Sequence, residues 1–156
     1  MRSDRQGDNR LTTALLLLGP SVLLGGALAF QYLGGLPPCE MCLWQRWALL
    51  AALGLALIGW AAGHSRAVLR MAALAALAGA GIAAFHVGVE QHWWKGITEC
   101  AATPLSGSAA DVMNQILAQP LIRCDAIAWS LFGISMAGWK AVISSLIGGM
   151  SLWRLK

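Results

Sequence analysis

Charged residues are scarce in this sequence. They make up 12% of its 156 residues, while hydrophobic residues make up 58%. An average soluble domain has about 25% charged and about 45–50% apolar residues. A chain this short cannot hide so many apolar side chains in a core of its own. The composition therefore excludes an ordinary soluble domain and favours a lipid environment.

The sequence also lacks a basic patch interleaved with aromatic residues, although its net charge is +4. Such a patch is the usual mark of a nucleic-acid-binding protein, so we expect no nucleic-acid partner. The Lys and Arg residues instead separate long apolar runs, which is the pattern of a membrane protein. Polar residues are nearly missing from the middle of those runs, which argues against a small transporter.

Four apolar stretches are long enough to cross a bilayer as helices. A hydrocarbon core about 30 Å thick needs about 20 helical residues. The predicted spans cover residues about 11–31, 43–62, 68–89 and 135–154. The apolar run of the first exceeds the core of a signal peptide, about 7–15 residues, so we expect a permanent helix. The prediction is an all-α membrane protein, a single domain over residues 1–156 forming a bundle of four transmembrane helices.

The fourth span contains Lys140, which affects where that span begins. A Lys at the middle of a bilayer costs at least about 2.5–3.5 kcal/mol. Starting the span near Ser135 avoids this cost, because Lys140 then reaches the lipid headgroups as an interfacial anchor. Residues 129–134 would lie along the membrane interface.

The distribution of positive charge predicts the orientation of the bundle. Four spans place both chain ends on one side, together with the 63–67 turn. That side carries seven of the eleven Lys and Arg residues: Arg2, Arg5, Arg10, Arg66, Arg70, Arg154 and Lys156. The positive-inside rule makes it cytoplasmic. Loops 32–42 and 90–134 are then periplasmic, as in a multi-pass protein of a bacterial inner membrane.

All four cysteines fall in the two predicted periplasmic loops, where disulfides are chemically permitted. Cys39 and Cys42 lie in the first loop, and Cys100 and Cys124 in the second. The Cys39-x-x-Cys42 pair opens a predicted helix, where the helix dipole and free amide groups favour a thiolate. Tight dithiol pairs beside positive charge are typical of redox-active sites.

Two further residues are candidates for the same site. Arg46 lies four residues beyond Cys42, on the same helix face and one turn deeper. Its guanidinium would stabilise a Cys42 thiolate or donate hydrogen bonds to a quinone carbonyl; the alternative is an interfacial anchor. His86 and Glu90 lie four residues apart at the end of the third span. We weigh quinone binding or proton transfer by His86 against ordinary interfacial polarity.

The alternative to an enzyme is a membrane protein with structural disulfides or a bound metal. Zinc normally takes four N or S ligands, and Cys100 and Cys124 are too widely spaced to form the second half of such a site. We therefore expect no metal. A bridge across the small 39–42 ring would stabilise little, because the entropic benefit grows with loop length. A Cys100–Cys124 bridge, taken alone, remains compatible with a structural role.

The chain resembles the disulfide bond formation protein B (DsbB) family over nearly its whole length. The order of spans and cysteines agrees, whereas vitamin K epoxide reductase-like proteins place the loop pair before the Cys-x-x-Cys. Lys140 is a departure, since a neutral polar residue is expected there. The matching segments are PCEMCLWQR at 38–46, HVGVE at 86–90 with Trp93, Trp94 and Cys100, RCD at 123–125, and WSLFGISMAGW at 129–139.

This resemblance implies a thiol:quinone oxidoreductase whose cofactor is ubiquinone or menaquinone. The implied partner is a soluble periplasmic thioredoxin-fold oxidase of the DsbA type. By the family pattern, the partner's thiolate attacks Cys100, and the released Cys124 exchanges with Cys39. Cys42 becomes the thiolate that faces the quinone, with Arg46 beside it.

Overall fold

The fold is taken from a computed structural model, which describes residues 2–97, 108, 113 and 124–156. This part of the chain is mostly helical and holds four helices. They are α1 (Arg2–Tyr32), α2 (Glu40–Ala61), α3 (Arg66–Glu90) and α4 (Met136–Arg154). A short antiparallel hairpin, β1 (Ser130–Leu131) and β2 (Ile134–Ser135), precedes α4. Cys100 lies outside the described residues.

Three of these helices are long and apolar enough to cross a membrane, judged by length and composition. The candidate segments are Gln6–Tyr32, Glu40–Ala61 and Arg66–Glu90. Many large apolar side chains on them are exposed, as lipid-facing residues are; examples are Leu18, Val22, Ile58 and Leu74. The helix α4 is not among the three. The four helices cover nearly all of the four predicted spans, and a fourth crossing stays a prediction.

Small residues let the helices approach closely around α3, against which both α2 and α4 pack. A Cβ added at Gly79 of α3 would lie 3.2 Å from the Cβ of Ala48 in α2. A Cβ added at Gly148 of α4 would lie 2.6 Å from Leu77 and 3.0 Å from the carbonyl oxygen of Ala73. Close backbone contact at small residues is a common way for helices to associate in lipid. It makes α3 the centre of the bundle.

Two helices begin at capping residues that also belong to the candidate site. Cys39 caps α2, and its Sγ accepts a hydrogen bond from the amide of Cys42 at 3.3 Å. Ser135 caps α4, and its Oγ accepts from the amide of Gly138 at 3.1 Å. We call the end of the bundle that holds Cys39, Cys42 and Ser135 the cysteine end.

The hairpin before α4 turns at Phe132 and Gly133. Both have positive φ, 53° and 77°. Two consecutive residues in this region are typical of a type I′ turn, which suits a two-residue hairpin. The register pairs Leu131 with Ile134 and Ser130 with Ser135. The hairpin therefore ends at Ser135, which is the N-cap of α4.

The opposite end of the bundle surrounds the 62–65 connection, and we call it the turn end. Its core consists of Leu16, Ala56, Leu69, Ala72, Ala73 and Leu155. The side chain of Asn9 donates to the His64 carbonyl at 3.2 Å, and Arg70 donates to the Leu155 carbonyl at 2.5 Å. These bonds fasten α1 to the turn and α3 to the end of α4.

Candidate dithiol active site

Cys39 and Cys42 lie at the first turn of α2, and neither is in a disulfide. The Cys39 side chain is buried. A hydrogen bond with the Cys42 side chain, followed by burial, raises the pKa of the Cys39 thiol. The shared proton therefore stays on Cys39, which leaves Cys42 as the sulfur suited to react as a thiolate.

His86 of α3 lies against all three described cysteines. Its Nε2 is 3.7 Å from the Sγ of Cys39 and 3.2 Å from the carbonyl oxygen of Cys124. A ring nitrogen of His86 also lies within 4.8 Å of the Cys42 Sγ. His86 is itself 3% exposed, so water does not compete for these contacts. The sequence indicated His86 only through its spacing from Glu90, yet the structure places it at the centre of the site.

Cys124, from the second predicted loop, is packed beside the first pair. It shares one buried cluster with Cys39, Met41 and Val89, against which Cys42 and Phe85 also pack. The structure thus brings together sulfurs that are far apart in sequence. The pairing of Cys124 with Cys100 falls outside the described residues and stays a prediction.

Gln45 is a site residue that the sequence reasoning missed. Its amide Nε2 lies 3.1 Å from the Nδ1 of His86, and the side chain is 1% exposed. In this orientation Gln45 donates to a neutral ring, while the His86 Nε2–H donates to the Cys124 carbonyl. A reversed amide would present Oε1, which has no partner in the described part of the chain, to a protonated Nδ1. Gln45 therefore fits both protonation states of His86.

A second polar pair, Glu90 and Ser135, joins the site to the start of α4. Ser135 donates its hydroxyl to the Oε2 of Glu90, and the Oε1 of Glu90 lies 3.9 Å from the Nε2 of His86. Both Glu90 and Ser135 are buried. These contacts fix the start of α4 against α3 and place a carboxylate beside the imidazole.

Arg46 reaches α1 rather than the sulfurs. One guanidinium nitrogen donates to the side-chain oxygen of Gln31 at 2.5 Å, and the other donates to the Ala27 carbonyl at 3.1 Å. No hydrogen bond links Arg46 to Cys42 among the residues described here, and the buried Nε of Arg46 has no partner there. Arg46 thus fastens α1 to α2 one turn below Cys42.

An apolar cavity of ≈ 300 Å³ lies between α1, α4 and the hairpin. Phe30 and Trp129, whose ring centroids are 4.9 Å apart, form part of its wall. This volume is at the lower end of the range for small-molecule sites, about 300–1,000 Å³. The full lining is Val22, Leu23, Gly26, Ala27, Phe30, Trp129, Leu131, Phe132, Met136, Trp139 and Lys140. Lys140 is the one charged residue in that lining.

Lys140 does not behave as the interfacial anchor expected from the sequence. An anchor extends its ammonium to the headgroups, but Lys140 is 7% exposed. It interacts electrostatically with Cys42, Arg46 and Cys39. The physical reason is its place on α4: it lies one turn past the cap Ser135, on the side facing α1.

A second cavity opens beside Cys124 and is more polar. Its volume is ≈ 430 Å³, and its lining is Val89, His92, Trp93, Trp94, Lys95, Gly96, Cys124 and Asp125. Trp93 is exposed at its edge. The polar cavity therefore borders the cysteine cluster at Val89 and Cys124, whereas no described member of that cluster lines the apolar cavity.

The three atoms Cys39 Sγ, Cys42 Sγ and a His86 ring nitrogen lie within 4.8 Å of one another, close enough to bind a metal ion. They supply three of the four ligands of a closed zinc site. Cys124 lies beside these atoms, and the helices around them are long enough to cross a membrane. Clustered thiols in such a bundle are the functional groups that a membrane thiol–disulfide oxidoreductase needs.

Comparison with known proteins agrees with this class. The family model described as "Disulfide bond formation protein DsbB" matches residues 9–154, so the chain belongs to the DsbB family. The family predicted from the sequence is confirmed, and with it the class of disulfide-generating membrane oxidoreductase.

Individual relatives carry the same name. The chain is 45% identical to "Disulfide bond formation protein B 1" of Pseudomonas fluorescens, over 91% of this chain and 88% of that protein. It is 36% identical to "Disulfide bond formation protein B" of Verminephrobacter eiseniae, over 89% and 81%. A protein of that name from Aromatoleum aromaticum is 32% identical over 87% and 88%. No solved structure matches the chain significantly.

Proposed function

We propose that this protein reoxidises a periplasmic DsbA-like dithiol protein and passes the electrons to ubiquinone or menaquinone. The observation that carries the proposal is the cluster in which Cys124 packs against Cys39 and Cys42. A polar cavity opens on its Cys124 side, and an apolar cavity lies between α1 and α4. Such an arrangement suits a protein partner on one side and a hydrophobic acceptor on the other.

The relay consists of two thiol–disulfide exchanges and one oxidation. The partner's thiolate attacks the Cys100–Cys124 disulfide at Cys100, and Cys124 leaves as a thiolate. A second partner thiol resolves the mixed disulfide, and Cys124 and Cys100 are reoxidised by exchange with the Cys39–Cys42 disulfide. The Cys39–Cys42 dithiol then gives two electrons and two protons to the quinone, which leaves as quinol while the disulfide reforms.

The direction of flow follows from redox potentials. The disulfide–dithiol couple of a DsbA-type partner has a reduction potential of about −120 mV, so its dithiol is reoxidised only by an acceptor of comparable or higher potential. A respiratory quinone dissolved in the bilayer is such an acceptor. It would enter the apolar cavity from the lipid, since the outer faces of α1 and α4 expose apolar side chains.

His86 and Arg46 have different roles in this proposal. The Nε2 of His86 contacts both the Cys39 Sγ and the Cys124 carbonyl. When Nδ1 carries the proton and donates a hydrogen bond to the Oε1 of Gln45, Nε2 is free to accept the proton of Cys39 as the disulfide forms. Gln45 supports the ring before and after that transfer. Arg46 supports the quinone site by holding α1, because Ala27, its backbone partner, lines the apolar cavity.

The proposed topology has four crossings, both chain ends in the cytoplasm and the cysteine end facing the periplasm. In reduced spheroplasts, a membrane-impermeant thiol reagent should label Cys39, Cys42, Cys100 and Cys124. Single-cysteine variants separate the four positions. Protection of either pair until the membrane is permeabilised would refute the topology and the function with it.

The function is tested by mixing the purified protein with a reduced DsbA-like protein, with and without ubiquinone. We expect catalytic oxidation of the partner only when quinone is present, with one quinol formed for each disulfide. The order of the relay is tested by trapping, because an intermediate accumulates when its resolving thiol is removed. Cys124→Ser should hold the partner covalently through Cys100, and Cys100→Ser should hold little. Trapping through Cys39 instead would reverse the order.

A further inference from the structure

The Lys140 side chain is buried, at 7% exposed, and its ammonium group makes no hydrogen bond or ion pair with any residue that the structure describes. It lines the apolar cavity between α1 and α4. Burying a charge is costly unless a hydrogen-bonding or charged group meets it. A lysine in this position lowers stability unless a ligand supplies the missing acceptor.

Arg46, the other cation near the site, is placed differently. Both of its terminal nitrogens donate to α1, and it is not part of the cavity lining. Its positive charge also faces Lys140, with which it interacts unfavourably. Of the two cations, Lys140 is the one that lines the cavity, where its ammonium can donate to a bound molecule.

The surroundings of Lys140 indicate the chemistry of that molecule. The rest of the lining is apolar and includes the rings of Phe30, Trp129 and Trp139. An occupant must therefore be a flat hydrophobic compound with an oxygen acceptor at one edge. Lys140 is the charged residue of this lining, so it would meet the acceptor edge.

From this geometry we infer that Lys140 binds a carbonyl oxygen of the quinone directly. The inference rests on the proposed function and names the residue that meets the acceptor. The ammonium donates a hydrogen bond to that oxygen and favours the negative charge that the oxygen gains as the quinone is reduced. The ammonium, which interacts electrostatically with Cys42 and Cys39 but has no hydrogen-bond acceptor among the described residues, thus gains one when quinone is bound.

The test compares the wild-type protein with Lys140→Met, which keeps the length of the side chain and removes its charge. Binding of a short-chain ubiquinone is followed by quenching of tryptophan fluorescence, since Trp129 and Trp139 line the cavity. We expect Lys140→Met to weaken binding and raise the quinone KM by about tenfold, as for the loss of a hydrogen bond to a charged group. Single-turnover disulfide exchange with the reduced partner, without quinone, should not change.

Thermal unfolding separates this role from a structural one. Removing a buried ammonium that has no hydrogen-bond partner should leave Tm unchanged or raise it, whereas loss of a structural contact would lower it. Lys140→Arg should recover part of the quinone affinity. Ser144→Ala is the matched control, because Ser144 is buried one turn further along α4 and does not line the cavity.

The outcomes distinguish direct binding of quinone by Lys140 from a purely structural role of this residue. Weaker quinone binding with an unchanged or higher Tm supports the inference. Unchanged quinone binding in Lys140→Met overturns it, as does a lower Tm with equal losses in Lys140→Met and Lys140→Arg. Failure of the wild-type protein itself to reduce quinone would refute the proposed function instead.

Discussion

The two ends of this bundle are built from the same helices but use polar side chains in different ways. At the turn end, Asn9 and Arg70 donate to backbone carbonyls, around a core of leucine and alanine. At the cysteine end, the buried polar side chains of Gln45, His86 and Glu90 lie next to one another and to sulfur. Polar groups fasten the chain at one end and surround reactive atoms at the other.

This difference identifies the functional end without reference to relatives. A buried polar group is costly, so it persists where it satisfies the backbone or where it serves chemistry. The turn-end groups are explained by the chain segments that they join. The cysteine-end groups converge on Cys39 and Cys124 beside the polar cavity, which is the pattern of an active site.

The largest expected effect comes from Cys42→Ser. A hydroxyl in place of the thiol cannot form a disulfide with Cys39, so quinone reduction should fall to the uncatalysed background. Exchange between the partner and the Cys100–Cys124 pair should continue for a single turnover. Stopped-flow measurement of quinol formation, with quenched thiol labelling of the partner, separates the two steps. Quinone turnover that survives in Cys42→Ser would remove Cys42 from the relay.

Next in size is the effect of removing His86. General acid–base catalysis is worth about 10²–10⁴-fold, so His86→Ala should slow quinone-dependent turnover by at least about a hundredfold. His64→Asn is the matched control at the turn end, where the ring bonds Thr13 at 2.8 Å, and asparagine tolerates the positive φ of 64°. Equal losses of quinone-dependent turnover in the two variants would contradict the assignment of catalysis to the cysteine end.

A smaller effect is expected from Arg46→Ala. Without its two bonds to α1, the wall of the apolar cavity loosens, and the quinone KM should rise by about tenfold, as for loss of charged hydrogen bonds. Gln31→Ala removes only one of these bonds and should have a weaker effect in the same direction. Steady-state kinetics with quinone varied checks both variants. An unchanged KM in Arg46→Ala would reduce this residue to an interfacial anchor.

The smallest effect on activity should come from Leu69→Ala in the turn-end core. Leu69 is fully buried, so the cavity left behind should cost about 2–5 kcal/mol of stability. The quinone KM and the exchange rate should stay within about twofold, because the site lies at the other end. Thermal unfolding and steady-state kinetics on the same preparation give both values. A changed quinone KM would show that the ends are coupled.

The sequence predicts the helical architecture well, because long apolar runs and turn residues are local signals. Spacing also places the Cys-x-x-Cys pair and Arg46 at one helix end, but it does not predict that the Arg46 guanidinium donates to α1 and not to Cys42. It does not predict the burial of Lys140, which depends on how α4 packs against α1. Gln45 was missed for a related reason: a neutral polar residue in an apolar helix is a weak signal until its contact with His86 is seen.

The central claim is that the Cys39–Cys42 dithiol passes its electrons directly to quinone at the cysteine end. The most direct measurement uses the Cys100→Ser, Cys124→Ser double variant, fully reduced, with ubiquinone and no protein partner. Quinol is followed by absorbance, and the disulfide is mapped by mass spectrometry. The account predicts one quinol per protein and a Cys39–Cys42 disulfide. Retention of both thiols with no quinol formed would contradict it.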